Sequence, residues 1–171
     1  MNEGREIPFA RPSLADADRD AVLRVLAGPI LAHGPEAVAF QREFSATVGG
    51  GAAVTVSSCM AALHVASLWL GLGHGDEVIL PAQTHVAAAH AVEIVGARPV
   101  FVDCDLATGN LTAERIARAI GPATKAISLV HYAGIPCHMP EIAELAAQHG
   151  LRLIEDCAHA HGARYDGTHV G

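Results

Sequence analysis

Lysine is almost absent from this chain. Lys125 stands alone among 171 residues, so chemistry that needs a second, site-lining amine cannot be completed by this polypeptide as written. Aromatic residues make up 4% and charged residues 17%, against 51% hydrophobic. That balance argues against disorder, and the dominance of Ala, Val, Leu and Ile suits a sheet covered on both faces by small-residue helices. No basic cluster is present. The net charge is -7 with dispersed cations, which argues against nucleic acid while leaving room for a small anion held locally. The four cysteines, Cys59, Cys104, Cys137 and Cys157, form no CxxC pair. Reduced thiols are therefore expected in place of a disulfide framework or a zinc ribbon. The opening MNEGREIPFARPSL lacks an apolar signal core, and Gly, His and Asp interrupt every apolar run before it reaches a membrane span. A soluble cytoplasmic protein without a membrane partner is expected.

What is present alternates between helical and strand patterns. A chain of this length lies in the usual one-domain range of roughly 100–200 residues. Ser13, with Asp16, reads as the cap of a helix carrying Leu14, Ala17, Ala21, Val22, Val25 and Leu26, ended by Gly28-Pro29. After Gly34-Pro35, a second helix is expected over 37–48. Next come a strand at 54–56, a helix over 60–70, a strand at 78–80 closed by Pro81, a helix over 86–95 and a strand at 99–102. Thr112 reads as the N-cap of a helix reaching 120. The last cycle is a strand at 126–130, a helix over 139–149 and a strand at 151–154. Continuously apolar strands separated by helices imply a mainly parallel sheet with helices on both faces, an α/β fold. Neither an internal repeat nor a linker is visible.

Such sheets bind ligands outside the carboxyl ends of their strands. At the first such end, Val56-Ser57-Ser58-Cys59-Met60, a strand turns into a helix. Its free N–H groups near Cys59 and Met60 make an anion site, with Ser57 or Ser58 adding a hydroxyl; an ordinary serine N-cap would give the same sequence. The turn has neither a GxGxxG nor a GxxxxGK[ST] pattern, which disfavours dinucleotides and nucleoside triphosphates. The second end, Pro81-Ala82-Gln83-Thr84-His85, presents His85 either as a ring that stacks on a heteroaromatic ligand or as a loop histidine after Thr84, itself the N-cap of the next helix. At the third, Val130-His131-Tyr132-Ala133-Gly134, His131 and Tyr132 either face the site or cover the sheet edge.

The fourth end is Glu155-Asp156-Cys157-Ala158-His159-Ala160-His161. Side chains alternate along a strand, so Glu155 and Asp156 point to opposite sides and one of them enters the crevice. A carboxylate there pairs with a protonated ring nitrogen and keeps it protonated. Asp156, Cys157, His159 and His161 are also metal-ligand types. HExxH-type spacing is missing, so no metal site is assigned.

Taken together, these segments resemble the DegT/DnrJ/EryC1/StrS family of pyridoxal-phosphate-dependent aminotransferases. The likeness starts at Ile7-Pro8-Phe9 and includes Gly34-Pro35 with Phe40 and Glu43, then SSCMAALH from Ser57, then Gly75-Asp76-Glu77-Val78-Ile79-Leu80-Pro81. It continues through Thr84-His85-Val86-Ala87, the segment Gly96-Ala97-Arg98-Pro99 running to Asp103, Thr108-Gly109-Asn110, His131-Tyr132-Ala133-Gly134, and Glu155-Asp156-Cys157-Ala158-His159-Ala160. The order and spacing of these fragments make it specific.

The resemblance implies an aspartate-aminotransferase-like (fold type I) large domain, of which residues 1–171 are the N-terminal portion. It implies pyridoxal 5'-phosphate (PLP) as cofactor, with Ser58, Cys59 and Met60 at its phosphate, His85 stacked on its ring, Asp156 at its pyridine nitrogen and His159 near its ring hydroxyl. Met60 stands where the family usually has a threonine. The family's Schiff-base lysine and its smaller C-terminal domain come later in sequence than Gly171, so no catalytic residue is assigned here, and Lys125 enters its strand from the wrong end. The family's substrates are nucleotide-linked keto-sugars with an amino-acid donor such as glutamate, and its members are homodimers. Two alternatives are a standalone, non-catalytic PLP-binding or regulatory module, and a metal-dependent hydrolase built on Asp156, His159 and His161.

Overall fold

The apolar runs become four parallel strands in the computed structural model, which describes residues 11–171. Ile7, Pro8 and Phe9, where the family resemblance starts, lie outside the described residues. In chain order, helices α1 (Asp16–Leu26), α2 (Pro35–Thr47) and α3 (Cys59–Trp69) precede strand β1 (Glu77–Pro81). Then follow α4 (Val86–Glu93), β2 (Arg98–Val102), α5 (Ala113–Ala119), β3 (Thr124–Val130), α6 (Met139–His149) and β4 (Arg152–Asp156). The sheet runs β2-β1-β3-β4, with every pairing parallel.

Strand alternation divides the core between two faces. Val78, Leu80 and Ala126 point to one side and pack on Leu63 of α3 and on Ala88, Ala91 and Val92 of α4. Ile79, Ile127 and Leu129 point to the other, against Ile116 of α5 and Ile142 and Ala146 of α6. Ile79, Leu80, Ile116, Ile127, Leu129 and Ile142 are 0% exposed, and each such side chain contributes about 1.5–3 kcal/mol of burial. The α4 connection carries the chain from β1 out to β2, and α5 returns it past β1 to β3. The resulting change of direction opens a crevice between the carboxyl ends of β1 and β3, where a doubly wound sheet places its ligand.

Several local expectations are corrected. Residues 54–56 form no strand: Val54 is 78% exposed, and no strand pairs with the segment among the described residues. Ser13 does not cap α1; the N-cap is Ala15, whose N–H donates to the Asp18 carboxylate at 2.8 Å. Helix α2 starts at Pro35, two residues before the expected position, because proline at the first helical position gives up only an N–H that would be unpaired anyway. A hairpin of β5 (Arg164–Tyr165) and β6 (Thr168–His169) was not anticipated; its Asp166-Gly167 turn has φ of 46° and 81° at the two central residues, as a type I' turn requires. By contrast, Thr112 caps α5 as expected, accepting the Arg115 N–H at 3.4 Å. No described helix is long and apolar enough to cross a membrane, and all four cysteines are free.

Candidate active site

At the carboxyl end of the sheet, a cleft of about 390 Å³ is lined by residues from three strand ends. After β1 come Gln83, Thr84 and His85; after β3, Tyr132; from β4 and beyond, Asp156 and His159. Gln83 and Tyr132 also line a neighbouring cleft of about 640 Å³, bounded by Asp103, Asp105, Thr108 and Arg115 in the loop after β2 and the start of α5.

Asp156 ends β4 on the same face as Ile154, which packs toward α3 and α4. It is 8% exposed. Its Oδ1 accepts the Ala158 N–H at 3.0 Å and faces the Cys59 thiol at 3.8 Å. That contact brings the start of α3 to the cleft. Burial first, then the charge of Asp156, raises the Cys59 pKa, so the thiol stays protonated. Ser58 is the N-cap of α3, with its Oγ accepting the Ala61 N–H at 3.1 Å. The Cys59 and Met60 N–H groups have no acceptor among the described residues. Ser58 and Met60 lie at this helix end and do not line the cleft wall itself. The Ser58 Oγ caps the helix while its own O–H stays free to donate, and the two amides remain free for an anion.

His85 is exposed, and it replaces the expected Thr84 as N-cap of α4: its Nδ1 accepts the Ala87 N–H at 3.1 Å. An imidazole that accepts at Nδ1 carries its proton on Nε2, and the bond fixes the plane of the ring at the cleft wall. Thr84 is left with a buried Oγ1 that has no partner among the described residues. His159 meets Tyr132 edge to face, with centroids 6.1 Å apart. Gly134 closes on this pair. Its φ is 84°, and a Cβ there would come within 3.2 Å of the His159 carbonyl oxygen.

The third strand end divides between its two residues. Tyr132 faces the cleft, whereas His131 is 0% exposed beneath it, on the α6 side. The Cys137 N–H donates to His131 Nδ1 at 3.0 Å, so the ring proton sits on Nε2 and is donated to Glu155 Oε2 at 2.9 Å. Glu155 also accepts the Gly171 N–H at 3.0 Å. The His131 bond, opposed by burial and helped by the Gly171 amide, holds the Glu155 carboxyl below its ordinary pKa. Glu155 and Asp156 do point opposite ways, and Asp156 is the one in the crevice.

Asp156, His159 and His161 do not converge as a metal site would need; His161 stacks on Phe44 at 5.4 Å. Among the described residues the ligand-type side chains that do converge are His131, Glu155 and Cys157. Metal-binding histidines donate from the ring nitrogen that is not on the metal. Here Nδ1 accepts an amide N–H and Nε2 bears the proton, so His131 offers a cation no lone pair. Cys157 has its pKa raised to about 12 by burial and then by Glu155 and Asp156, and is a neutral thiol.

Asn110 is a residue that sequence reasoning did not single out for the site, although it stands in the Thr108-Gly109-Asn110 fragment. It is 3% exposed, with Oδ1 accepting the Tyr132 N–H at 2.9 Å and Nδ2 donating to the Ile135 carbonyl at 2.8 Å.

Comparison with known proteins places the chain in a family. In the solved structures, the chain is similar to DesV of S. venezuelae, determined in complex with a ketimine intermediate: 43% identity over 91% of this chain and 42% of that one, with a TM-score of 0.88. It is similar to the aminotransferase TlmJ of Streptoalloteichus hindustanus, at 42% identity over 97% of this chain and 46% of that one, TM-score 0.93. A protein of Streptococcus pneumoniae described as a sugar aminotransferase, solved in a PLP form, is 29% identical over 98% of this chain and 46% of that one, TM-score 0.92. The chain spans less than half the length of each of these structures. The α/β fold expected from sequence is the fold they share with it. Residues 12–171 match the DegT/DnrJ/EryC1/StrS aminotransferase family, and the chain belongs to that family.

Proposed function

We propose that these 171 residues are the N-terminal, PLP-binding portion of the large domain of an aminotransferase, one that moves an amino group from an amino acid such as glutamate to a nucleotide-linked keto-sugar. The observation that carries this reading is Asp156, a buried carboxylate open to a cleft that also holds the fixed ring of His85 and lies beside the two free amides of α3. The residues fit the cofactor. A cleft of about 390 Å³ is in the small-molecule range. The free Cys59 and Met60 N–H groups and the helix dipole suit a phosphate. An orphaned hydroxyl, Thr84 Oγ1, borders the same space.

In this reading Asp156 keeps a proton on the ring nitrogen, and the Ala158 N–H holds that carboxylate in place. His85 stacks on one side of the ring, oriented by its bond to Ala87. His159 reaches the ring hydroxyl, backed by Tyr132. PLP, when bound, supplies the electron sink that lets a carbon next to nitrogen lose its proton. Met60 has no hydroxyl, so phosphate binding rests on the backbone amides and on the Ser58 O–H, which stays free to donate while its Oγ accepts the Ala61 N–H. The hydroxyl missing at position 60 weakens it by about 0.5–1.5 kcal/mol.

Lys125 is exposed at the amino end of β3, while the cleft adjoins Val130, about 16 Å away at strand rise. In this reading Lys125 does not carry the cofactor, and that lysine comes from outside these residues. Exposed apolar side chains favour such a larger assembly over a standalone module: Trp69 is 79% exposed, Leu68 56% and Leu26 61%. A homodimer that covers part of this surface accords with the family.

Glutamate added to the complete PLP-loaded protein, without acceptor, is expected to release one equivalent of 2-oxoglutarate. Release of none, from protein shown to hold PLP, would overturn the transferase reading.

A further inference from the structure

The Thr84 hydroxyl is the one buried side-chain polar atom without a hydrogen-bond partner among the described residues, and Thr84 lines the cleft with His85 and Asp156. A buried hydroxyl left unpaired costs about 1–3 kcal/mol, and native proteins keep few of them. Its obvious local use, capping α4, has passed to the His85 ring, which accepts the Ala87 N–H at 3.1 Å. Rotation about the Cα–Cβ bond carries the threonine hydroxyl to another staggered position, so the oxygen can turn toward the cleft without any backbone movement.

We propose that Thr84 is a further binding residue: when the cleft fills, its hydroxyl turns inward and donates one hydrogen bond to an oxygen of the bound cofactor. The inference rests on the PLP reading of the cleft. It gives the unpaired hydroxyl a partner in the cleft that Thr84 lines.

The test uses pyridoxamine 5'-phosphate as probe, because it needs no lysine for capture, and compares the complete wild-type protein with its Thr84→Val and Thr84→Ser variants by calorimetric titration. Melting temperatures are measured in parallel without ligand. The expected result is binding by wild type, affinity within about twofold for Thr84→Ser, and affinity about tenfold weaker for Thr84→Val. Ligand-free Thr84→Val should melt no lower than wild type, because valine removes an unpaired oxygen and keeps the shape. Equal affinity of Thr84→Val and wild type would overturn the role of Thr84 and leave the cleft assignment standing. A lower melting temperature for Thr84→Val, with affinity lost only in proportion to unfolded protein, would overturn it in favour of a packing role. Absence of probe binding by folded wild type would remove the cofactor reading, and this inference with it.

Discussion

Asn110 clamps the turn that carries Tyr132: its Oδ1 accepts the Tyr132 N–H at 2.9 Å, and its Nδ2 donates to the carbonyl of Ile135 at 2.8 Å. Through this side chain the loop after β2 holds the turn after β3, two strands away in the sheet. Replacing Asn110 with Ala leaves a buried N–H and a carbonyl unpaired, and should cost about 1–3 kcal/mol. Urea unfolding measures it. A loss below 0.5 kcal/mol, roughly the scatter of ordinary surface changes, would mean that the clamp does not bear on stability.

Gly109, next to it, is fixed by space and by backbone. Its φ is 73°, and an added Cβ would come within 2.8 Å of Tyr132 Cδ1 and 3.3 Å of Gln83 Nε2. Gly109→Ala should therefore destabilise by about 1–3 kcal/mol and displace Tyr132 from the cleft wall. A thermal melt together with the tyrosine environment in near-UV circular dichroism tests both parts. An unchanged near-UV spectrum would show that Tyr132 is held by other contacts.

Glu155 gives a pH dependence of definite sign. Its folded-state pKa lies below the ordinary carboxyl value of 4.5, so the stability it contributes is present above about that pH and is lost as pH falls through the folded pKa. Glu155→Gln should accordingly be less stable than wild type at pH 7, with the gap narrowing in acid below about pH 4. Denaturant titrations across that range decide it; a gap that is constant or widens in acid would contradict the His131 pairing as its origin.

His85 combines two tasks that substitution can separate. His85→Ala removes the Nδ1 cap and should cost about 0.5–2 kcal/mol, while also removing the stacking surface. His85→Phe restores a flat ring without the acceptor. It should regain cofactor affinity and leave the stability deficit in place. If His85→Phe binds as poorly as His85→Ala, the ring does not act by stacking.

Much of this arrangement was legible in sequence because burial writes itself into composition. The four sheet strands are apolar on both faces, and Glu155-Asp156 at the end of one of them must split its two carboxylates. Residues 54–56 misled for the same reason: Val54-Thr55-Val56 has strand-like composition, but a strand exists only with a partner, and none pairs with it among the described residues. The choice of cap was also hidden. Thr84 and His85 both have side-chain acceptors near the first turn of α4, and only the backbone geometry decides that the imidazole takes the Ala87 amide. The His131–Glu155 pair joins residues 24 positions apart, and the Asn110 clamp reaches 22 and 25 positions along the chain, so no local pattern announces either. The Asp166-Gly167 turn did carry a hairpin signal, but strands of two residues give no alternation to frame it.

The central claim is that Asp156 faces the ring nitrogen of a pyridine cofactor in this cleft. Titration of the complete protein with pyridoxamine 5'-phosphate, for wild type and Asp156→Asn, tests it most directly. Stoichiometric binding that Asp156→Asn weakens by about tenfold or more, as expected for loss of a charge-assisted hydrogen bond, would bear the account out. Folded wild-type protein that fails to bind, or binding that the substitution leaves unchanged, would contradict it.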